Sequence, residues 1–455
     1  MKELIQSHRH FFNANTTKNV EFRIKQLKTF YSAIKSNESF LMQAIHDDFQ
    51  KSKFDTFTNE LALLYCDIKE AIKNVKKWAS PKKVRTNLIN FPSKSYIIPE
   101  PLGVSLVIGA WNYPYQLSLV PAVASLAAGN TVVLKPSELP AHTSHAMAKI
   151  INDNFDPHYF TVVEGSVPET TALLNEKFDK LFFTGSVSVG KIVYQAAARH
   201  LTPVTLELGG KSPAIVTDNC NLEVSVKRLI WAKYLNAGQT CIAPDYVLVH
   251  EKIKQQFLSR AKKEIQQSEY SLANGNYVQI INDKNLERLI ELIDPSKIYY
   301  GGDYQKENRY IAPTILTDIS FSDKVMQDEI FGPILPVLSY ENLVTIISEI
   351  KSRPKPLACY VFTDDNNVKT KVLNELSFGG GGINDAVMHI TNSNMAFGGV
   401  GESGIGAYHG EAGFKIFTHY KSILDKPSWF EPPLKYHPHT DTKLKWIKSM
   451  MGLWD

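Results

Sequence analysis

The strongest constraint in this chain is a change of rhythm near residue 95. From there, short β-branched runs at Val104–Ile108, Thr131–Leu134, Tyr159–Val163 and Lys180–Phe183 alternate with helical stretches at about 115–128, 140–154, 168–176 and 188–198. Strand, helix, strand with short loops predicts an α/β fold, a parallel sheet covered by helices on both faces. Such sheets bind ligands beyond the carboxyl ends of their strands, so the loops there become the candidate site. They read Gly109-Ala110-Trp111-Asn112, Lys135-Pro136-Ser137-Glu138, Glu164-Gly165 and Thr184-Gly185-Ser186.

A second mixed segment follows Gly209, with a strand at Pro213–Val216, a helix near Leu222–Leu235, a strand at Tyr246–Val249 and further α/β units to about residue 400. Ahead of both sheets, Phe22, Leu27, Phe30, Tyr31 and Ile34 recur at three- and four-residue spacing, one apolar face of an amphipathic helix pair. At roughly 150 residues per domain, a chain of this length carries about three domains, and no long linker or internal repeat separates them.

Charge and cysteine usage narrow the class. The net charge is only +4, and residues 1–100 alone hold 17 basic and 10 acidic side chains, so the surplus lies in the N-terminal helices and no extended nucleic-acid footprint is expected. The basic run Lys69, Lys73, Lys76, Lys77, Lys82, Lys83 and Arg85 reads as a solvated face rather than an anion site. Cys66, Cys220, Cys241 and Cys359 form no CxxC, which argues against a metal cluster or a disulfide framework and suits a reducing cytoplasm. The opening MKELIQSHRH is charged where a signal peptide needs an apolar run. The uncharged stretch Leu117 to Leu134 is broken by Pro121, Gly129 and Asn130 into a helix and a strand rather than a membrane span.

The chemistry concentrates in two motifs, Glu207-Leu208-Gly209-Gly210-Lys211 and Asn236-Ala237-Gly238-Gln239-Thr240-Cys241. A cysteine in a loop after a helix, among small neighbours, is placed like a nucleophile. A carboxylate ending a strand beside two glycines can swing toward it. Together they supply a thiolate and a general base, the parts needed to make and then hydrolyse a thioester.

ELGGK followed by NAGQTC, with AWNYP, KPSE, FTGS and EIFGP, closely resembles the NAD(P)-dependent aldehyde dehydrogenases. The ending FGGVGESGIGAYHG, and no extra arm before AWNYP, resemble the class 3 branch, which acts on fatty, aromatic and other hydrophobic aldehydes. The resemblance implies a Rossmann-like cofactor domain at 1–82 and 102–208, an α/β catalytic domain at 209–400, and a small β oligomerisation arm with a tail at 83–101 and 401–455. It implies Cys241 as nucleophile, Asn112 as oxyanion donor and Glu207 as the base that activates water. For the cofactor it implies Trp111, Lys135, Glu138, Gly185, Ser186, Gly190, Leu208, Glu329 and Phe331, with Lys135 and Glu138 at the adenosine ribose. A carboxylate at Glu138 favours NAD, although class 3 members tolerate NADP. A hydrophobic aldehyde as substrate, a homodimer and no metal are the remaining expectations.

Gly399-Val400-Gly401-Glu402-Ser403-Gly404 satisfies GxGxxG by letter but lacks a preceding strand, so it is read as a loop closing the substrate side. Ser377-Phe378 and Gly379 to Gly382 read as a crowded turn. Met395-Ala396-Phe397 stands where relatives commonly have Leu-Pro-Phe, and Glu411 and Lys415 reverse the charges usual in relatives. In the tail, Leu444, Ile447, Met451 and Trp454 recur at helical spacing with Lys443, Lys445 and Lys448 between them. Two readings stay open: packing on the partner subunit or over the substrate funnel, and shallow contact with a membrane surface that would make a cytoplasmic protein peripheral.

Overall fold

The structure, a computed structural model, describes residues 1–453. Strands Val104–Ile108, Thr131–Lys135, Phe160–Val162, Lys180–Thr184 and Val204–Glu207 are mutually parallel. Their order across the sheet is Val204–Glu207, Lys180–Thr184, Val104–Ile108, Thr131–Lys135, Phe160–Val162. Starting from Val104–Ile108 the chain steps outward to one edge, then returns to the other side of that strand. The reversal opens a crevice where Val104–Ile108 and Lys180–Thr184 end, and the loops leaving those strands are 109–112 and 184–186.

Local chemistry sets the helices that cover this sheet. Pro114 starts the helix Pro114–Ala128, where its missing N–H costs nothing, and Gly129 at φ +97° stops it by donating to the Ser125 and Leu126 carbonyls. The helix Ala62–Trp78 packs on it with Leu64, Ile68, Ala71, Val75 and Trp78 inward, the three- and four-residue spacing of a single face. Ser186 caps the helix Val187–Ala198 by accepting from the Val189 amide.

A second sheet of seven strands runs in the order Ile298–Tyr300, Thr314–Leu316, Ile334–Tyr340, Tyr246–His250, Pro213–Val216, Ala358–Phe362, Gly380–Ile383, with only the first strand antiparallel. Its last strand corrects the sequence reading of 379–382 as a turn. The crowding is real but belongs to an edge strand: a Cβ on Gly381 would lie 2.0 Å from the Cys359 carbonyl oxygen.

Lys82–Val84, Lys94–Pro101 and Thr418–Asp425 form a separate antiparallel sheet, with Thr418 opposite Pro101 and Asp425 opposite Lys94. Gly404–Ile405, from the stretch assigned in sequence to arm and tail, instead pairs antiparallel with Leu206 and Glu207 at the edge of the first sheet. The two residues are held there because Leu208 also donates to the Ser403 carbonyl at 3.1 Å. The reversed charges pair with each other: Lys415 reaches Glu411 at 2.9 Å, and Lys82 of the arm lies 3.8 Å from the same carboxylate.

The terminal helix spans Asp441–Met450, capped by Thr440, and buries none of its residues. Leu444, Trp446, Met450 and Met451 are exposed, whereas Trp454 lies outside the described residues. Among the described residues, no helix is long and apolar enough to cross a membrane, and no group of three or more His, Cys, Asp or Glu is placed to hold a metal.

Candidate active site

The helix Leu222–Tyr234 runs into a tight turn, Leu235–Gly238, where Asn236 and Ala237 adopt left-handed backbone at φ 54° and 52°. Gly238 follows at φ +71°, and a Cβ there would lie 2.3 Å from the Gly332 carbonyl oxygen, so only glycine fits without a shift. Gln239 braces the turn from inside: its amide donates to the Asn236 and Gln279 carbonyls at 3.1 and 3.0 Å, and its oxygen accepts from the Ile281 N–H at 3.0 Å. Three hydrogen bonds from one buried side chain make this a rigid support. It presents Cys241 half-buried at the end of the turn. Burial pushes the Cys241 thiol well above its ordinary range, and the Glu329 and Glu207 charges push the same way.

Asn112 is buried, and its side-chain amide donates to the Gln239 carbonyl at 3.0 Å. The Asn236 amide returns the contact, donating to the Asn112 carbonyl at 3.0 Å. Next to these, the Tyr113 and Thr240 hydroxyls are 2.7 Å apart. The loop after Val104–Ile108 and the loop carrying Cys241 are thus stitched together. Glu207 ends its strand with 3% exposure, and neither carboxyl oxygen has a hydrogen-bond partner. Burial alone pushes its pKa well above the usual carboxylate range. An unpartnered buried carboxyl is costly, and a carboxyl shifted this way at the edge of a cleft is a candidate proton-transfer group. Its influence reaches both Cys241 and Tyr408.

Beside this centre lies a cleft of about 530 Å³, lined among others by Ser186, Ser188, Gly209, Gly210, Glu329 and Glu402. The capped helix opens onto it with free N-terminal amides, a place that favours an anion such as a pyrophosphate. A Cβ on Gly209 would sit 2.1 Å from Glu329 Oε2, so the floor must stay bare. Glu329 is pushed up to about 8 by burial and the Asp245 charge, opposed by a Gly210 backbone hydrogen bond, Lys211 and Arg288. The buried Thr184 hydroxyl has no partner. Bare backbone, a helix N-terminus and unpartnered polar groups fit a dinucleotide.

The other expected cofactor residues divide. Gly190 lets its helix approach Leu208, whose Cδ2 would lie 2.7 Å from a Cβ there, and Gly185 makes room for the Phe183 ring. Trp111 and Phe331 meet edge to face at 5.3 Å. Lys135 and Glu138 do not line the cleft. Lys135 is buried, with Nζ donating to the Pro136 carbonyl at 2.7 Å and a pKa lowered by burial, and Glu138 is exposed. The 399–404 loop also needs correction: Glu402 lines this cleft rather than closing the substrate side, because the pairing of Gly404–Ile405 draws the loop to the cofactor sheet. Tyr113, Thr240, Gln239 and Asn236 went unassigned in the sequence although they sit inside its motifs. Their roles come from contacts over more than a hundred residues or across the turn itself.

The aldehyde dehydrogenase family matches residues 1–423. The chain is 44% identical over 443 residues to 4,4'-diaponeurosporen-aldehyde dehydrogenase of Staphylococcus aureus, covering 96% of each chain. It is 41% identical over 447 residues to aldehyde dehydrogenase family 3 member A2 of Mus musculus, covering 97% of this chain and 92% of that one. It is 43% identical over 428 residues to the dimeric NADP-preferring aldehyde dehydrogenase of Rattus norvegicus, covering 94% of each. A substrate-bound structure of Staphylococcus aureus AldH superposes with a TM-score of 0.97 at 43% identity, over 99% of both chains. With the stitched cysteine loop, the buried carboxyl and the dinucleotide cleft, these likenesses place the chain in the aldehyde dehydrogenase family, the NAD(P)-dependent oxidoreductases of aldehydes.

Proposed function

We propose that this enzyme oxidises a long, hydrophobic aldehyde, fatty or isoprenoid, to its carboxylic acid, with Cys241, Asn112 and Glu207 as the reacting centre. The observation that carries the reading is the pairing of a half-buried thiol with a buried, unpartnered carboxyl across a loop held by Asn112. Cys241 releases its thiol proton to solvent and attacks the carbonyl carbon as thiolate. The Asn112 amide and the Cys241 backbone N–H donate to the oxyanion that forms. When bound, the nicotinamide cofactor supplies the acceptor for the hydride that leaves this carbon. The acyl group is then a thioester on Cys241, and Glu207 takes a proton from water, which attacks it. Acid departs and the cysteine is restored. Transfer to coenzyme A or phosphate would need no such base, so Glu207 favours water as the acceptor.

The rest of the reading follows from the residues. Trp111, Lys135, Glu138, Gly185, Ser186, Gly190, Leu208, Glu329 and Phe331 hold or frame the cofactor, and the Glu138 carboxylate favours NAD over a 2′-phosphate. Residues 1–82 and 102–208 serve the cofactor, 209–400 the catalytic half, and the arm with the tail serves association into a homodimer. The substrate class is suggested by the diaponeurosporen-aldehyde relative and by the exposed apolar helix 441–450, which can also touch a membrane surface from the cytoplasm. A panel of short aliphatic, long-chain, aromatic and isoprenoid aldehydes, run with NAD and NADP, tests it. Long-chain or isoprenoid substrates should lead in kcat/KM with acid as product, and Cys241→Ser should form no NADH. A lead by short aliphatic aldehydes would overturn the substrate class.

A further inference from the structure

Lys51 and Glu60 form an ion pair at 3.0 Å with 1% and 0% side-chain exposure. Burying two charges is costly, and an apolar pair of similar volume is often as stable, so the pair calls for a reason beyond stability. Its contacts lead to the catalytic loops. Lys51 Nζ lies 4.6 Å from the centre of the Tyr113 ring, within cation–π range, and its other ring neighbour is Phe49 at 5.7 Å. Glu60 Oε2 accepts from the Tyr115 N–H at 2.8 Å and the Gln116 N–H at 3.4 Å, the first amides of the helix that begins at Pro114. Glu60 sits on a π-helical turn, Phe57–Leu61, a wide turn often found at functional positions.

The two residues therefore grip both sides of the 112–114 turn: Lys51 through the Tyr113 ring, Glu60 through the helix start. On the opposite side Asn112 donates to Gln239 and the Tyr113 hydroxyl meets Thr240, next to Cys241. The geometry points to Lys51 and Glu60 as positioning residues that fix the Asn112 amide and the Cys241 loop for oxyanion stabilisation. The inference rests on the proposed roles of Asn112 and Cys241. A displacement of about 1 Å at such a donor can cost on the order of 10²-fold in rate, so a pair that touches no substrate can still govern the chemical step.

The test uses the full chain with NAD and decanal, following the stopped-flow NADH burst. Lys51→Met keeps the stem and removes the ammonium. Lys51→Met/Glu60→Gln removes both charges of the pair, so it keeps the test open if the single variant folds poorly. In either, the burst rate should fall roughly 10–100-fold, while KM for decanal and Kd for NAD stay within about threefold. Placed in an Asn112→Ala background, Lys51→Met should add less than about threefold further loss, because the pair acts through that amide. A burst rate within about twofold of wild type in a folded variant, or an undiminished loss in the Asn112→Ala background, overturns the inference. If the wild type forms no NADH from any aldehyde, the proposed function fails instead, so the two failures are told apart.

Discussion

At the scale of single residues, the site is defined by groups held away from their ordinary ionisation. Glu329 holds its proton to about pH 8, against 4.5 for an ordinary glutamate. Between those values the folded protein keeps a proton that the unfolded chain has released. Stability contributed by this group therefore falls as pH rises through the window. Glu329→Gln should flatten the fall in Tm between pH 5 and 9, measured by scanning fluorimetry, and should weaken NAD binding about tenfold if its carboxyl holds a ribose hydroxyl. Asn112→Ala should slow the NADH burst about 10²–10³-fold with little change in KM, since it removes a donor to an oxyanion present only after attack. The motifs around Cys241, Glu207 and Asn112 stood out in sequence, Cys241 by its small neighbours and Asn112 only through the family resemblance. The grip of Lys51 on Tyr113 did not, because it joins positions 62 residues apart through a turn whose shape the local sequence does not reveal.

Elements show where glycine carries the geometry. A Cβ on Gly209 would strike Glu329 Oε2, the end of a side chain that can move aside into the cleft. Gly209→Ala should thus fold normally and raise KM for NAD by about tenfold or more, an effect seen in cofactor titration rather than in melting. Gly238→Ala differs, because its φ of +71° and the Gly332 carbonyl at 2.3 Å leave neither strain-free backbone nor room. It should cost about 1–3 kcal/mol, read as a lower Tm together with reduced turnover from a displaced Cys241. The strands Val104–Ile108, Thr131–Lys135 and Lys180–Thr184 were legible almost to the residue, since fully buried parallel strands write themselves as short, largely apolar runs. Gly380–Ile383 and Gly404–Ile405 were not. Three glycines in four residues carry no strand propensity, and a two-residue strand exists only because Val204–Glu207 offers it an edge.

For the whole molecule, loops from the two large sheets meet along the seam made by Asn112, Tyr113, Asn236 and Thr240, so the two sheets share one set of hydrogen bonds. The terminal helix stands outside this arrangement, with none of its residues buried. Deleting residues 441–455 should leave Tm within about 1 °C of the full chain, because none of the described residues 441–453 is buried. If the exposed Leu444, Trp446 and Met450 serve a membrane surface, the same deletion should abolish liposome binding and lower turnover of long-chain aldehydes only. The fold class and the order of the large segments were readable from the alternation of runs. The position of the 399–404 loop depends on a strand pairing that brings distant segments together, which no local pattern encodes. The central claim is that the acyl group passes through Cys241 and leaves with water activated by Glu207. Intact-mass analysis of Glu207→Gln mixed with decanal and NAD tests it most directly. One NADH per site, a mass increase equal to one decanoyl group, its absence in Cys241→Ser/Glu207→Gln, and steady turnover at least about 10²-fold below wild type are expected. Wild-type turnover with no acyl adduct would contradict it.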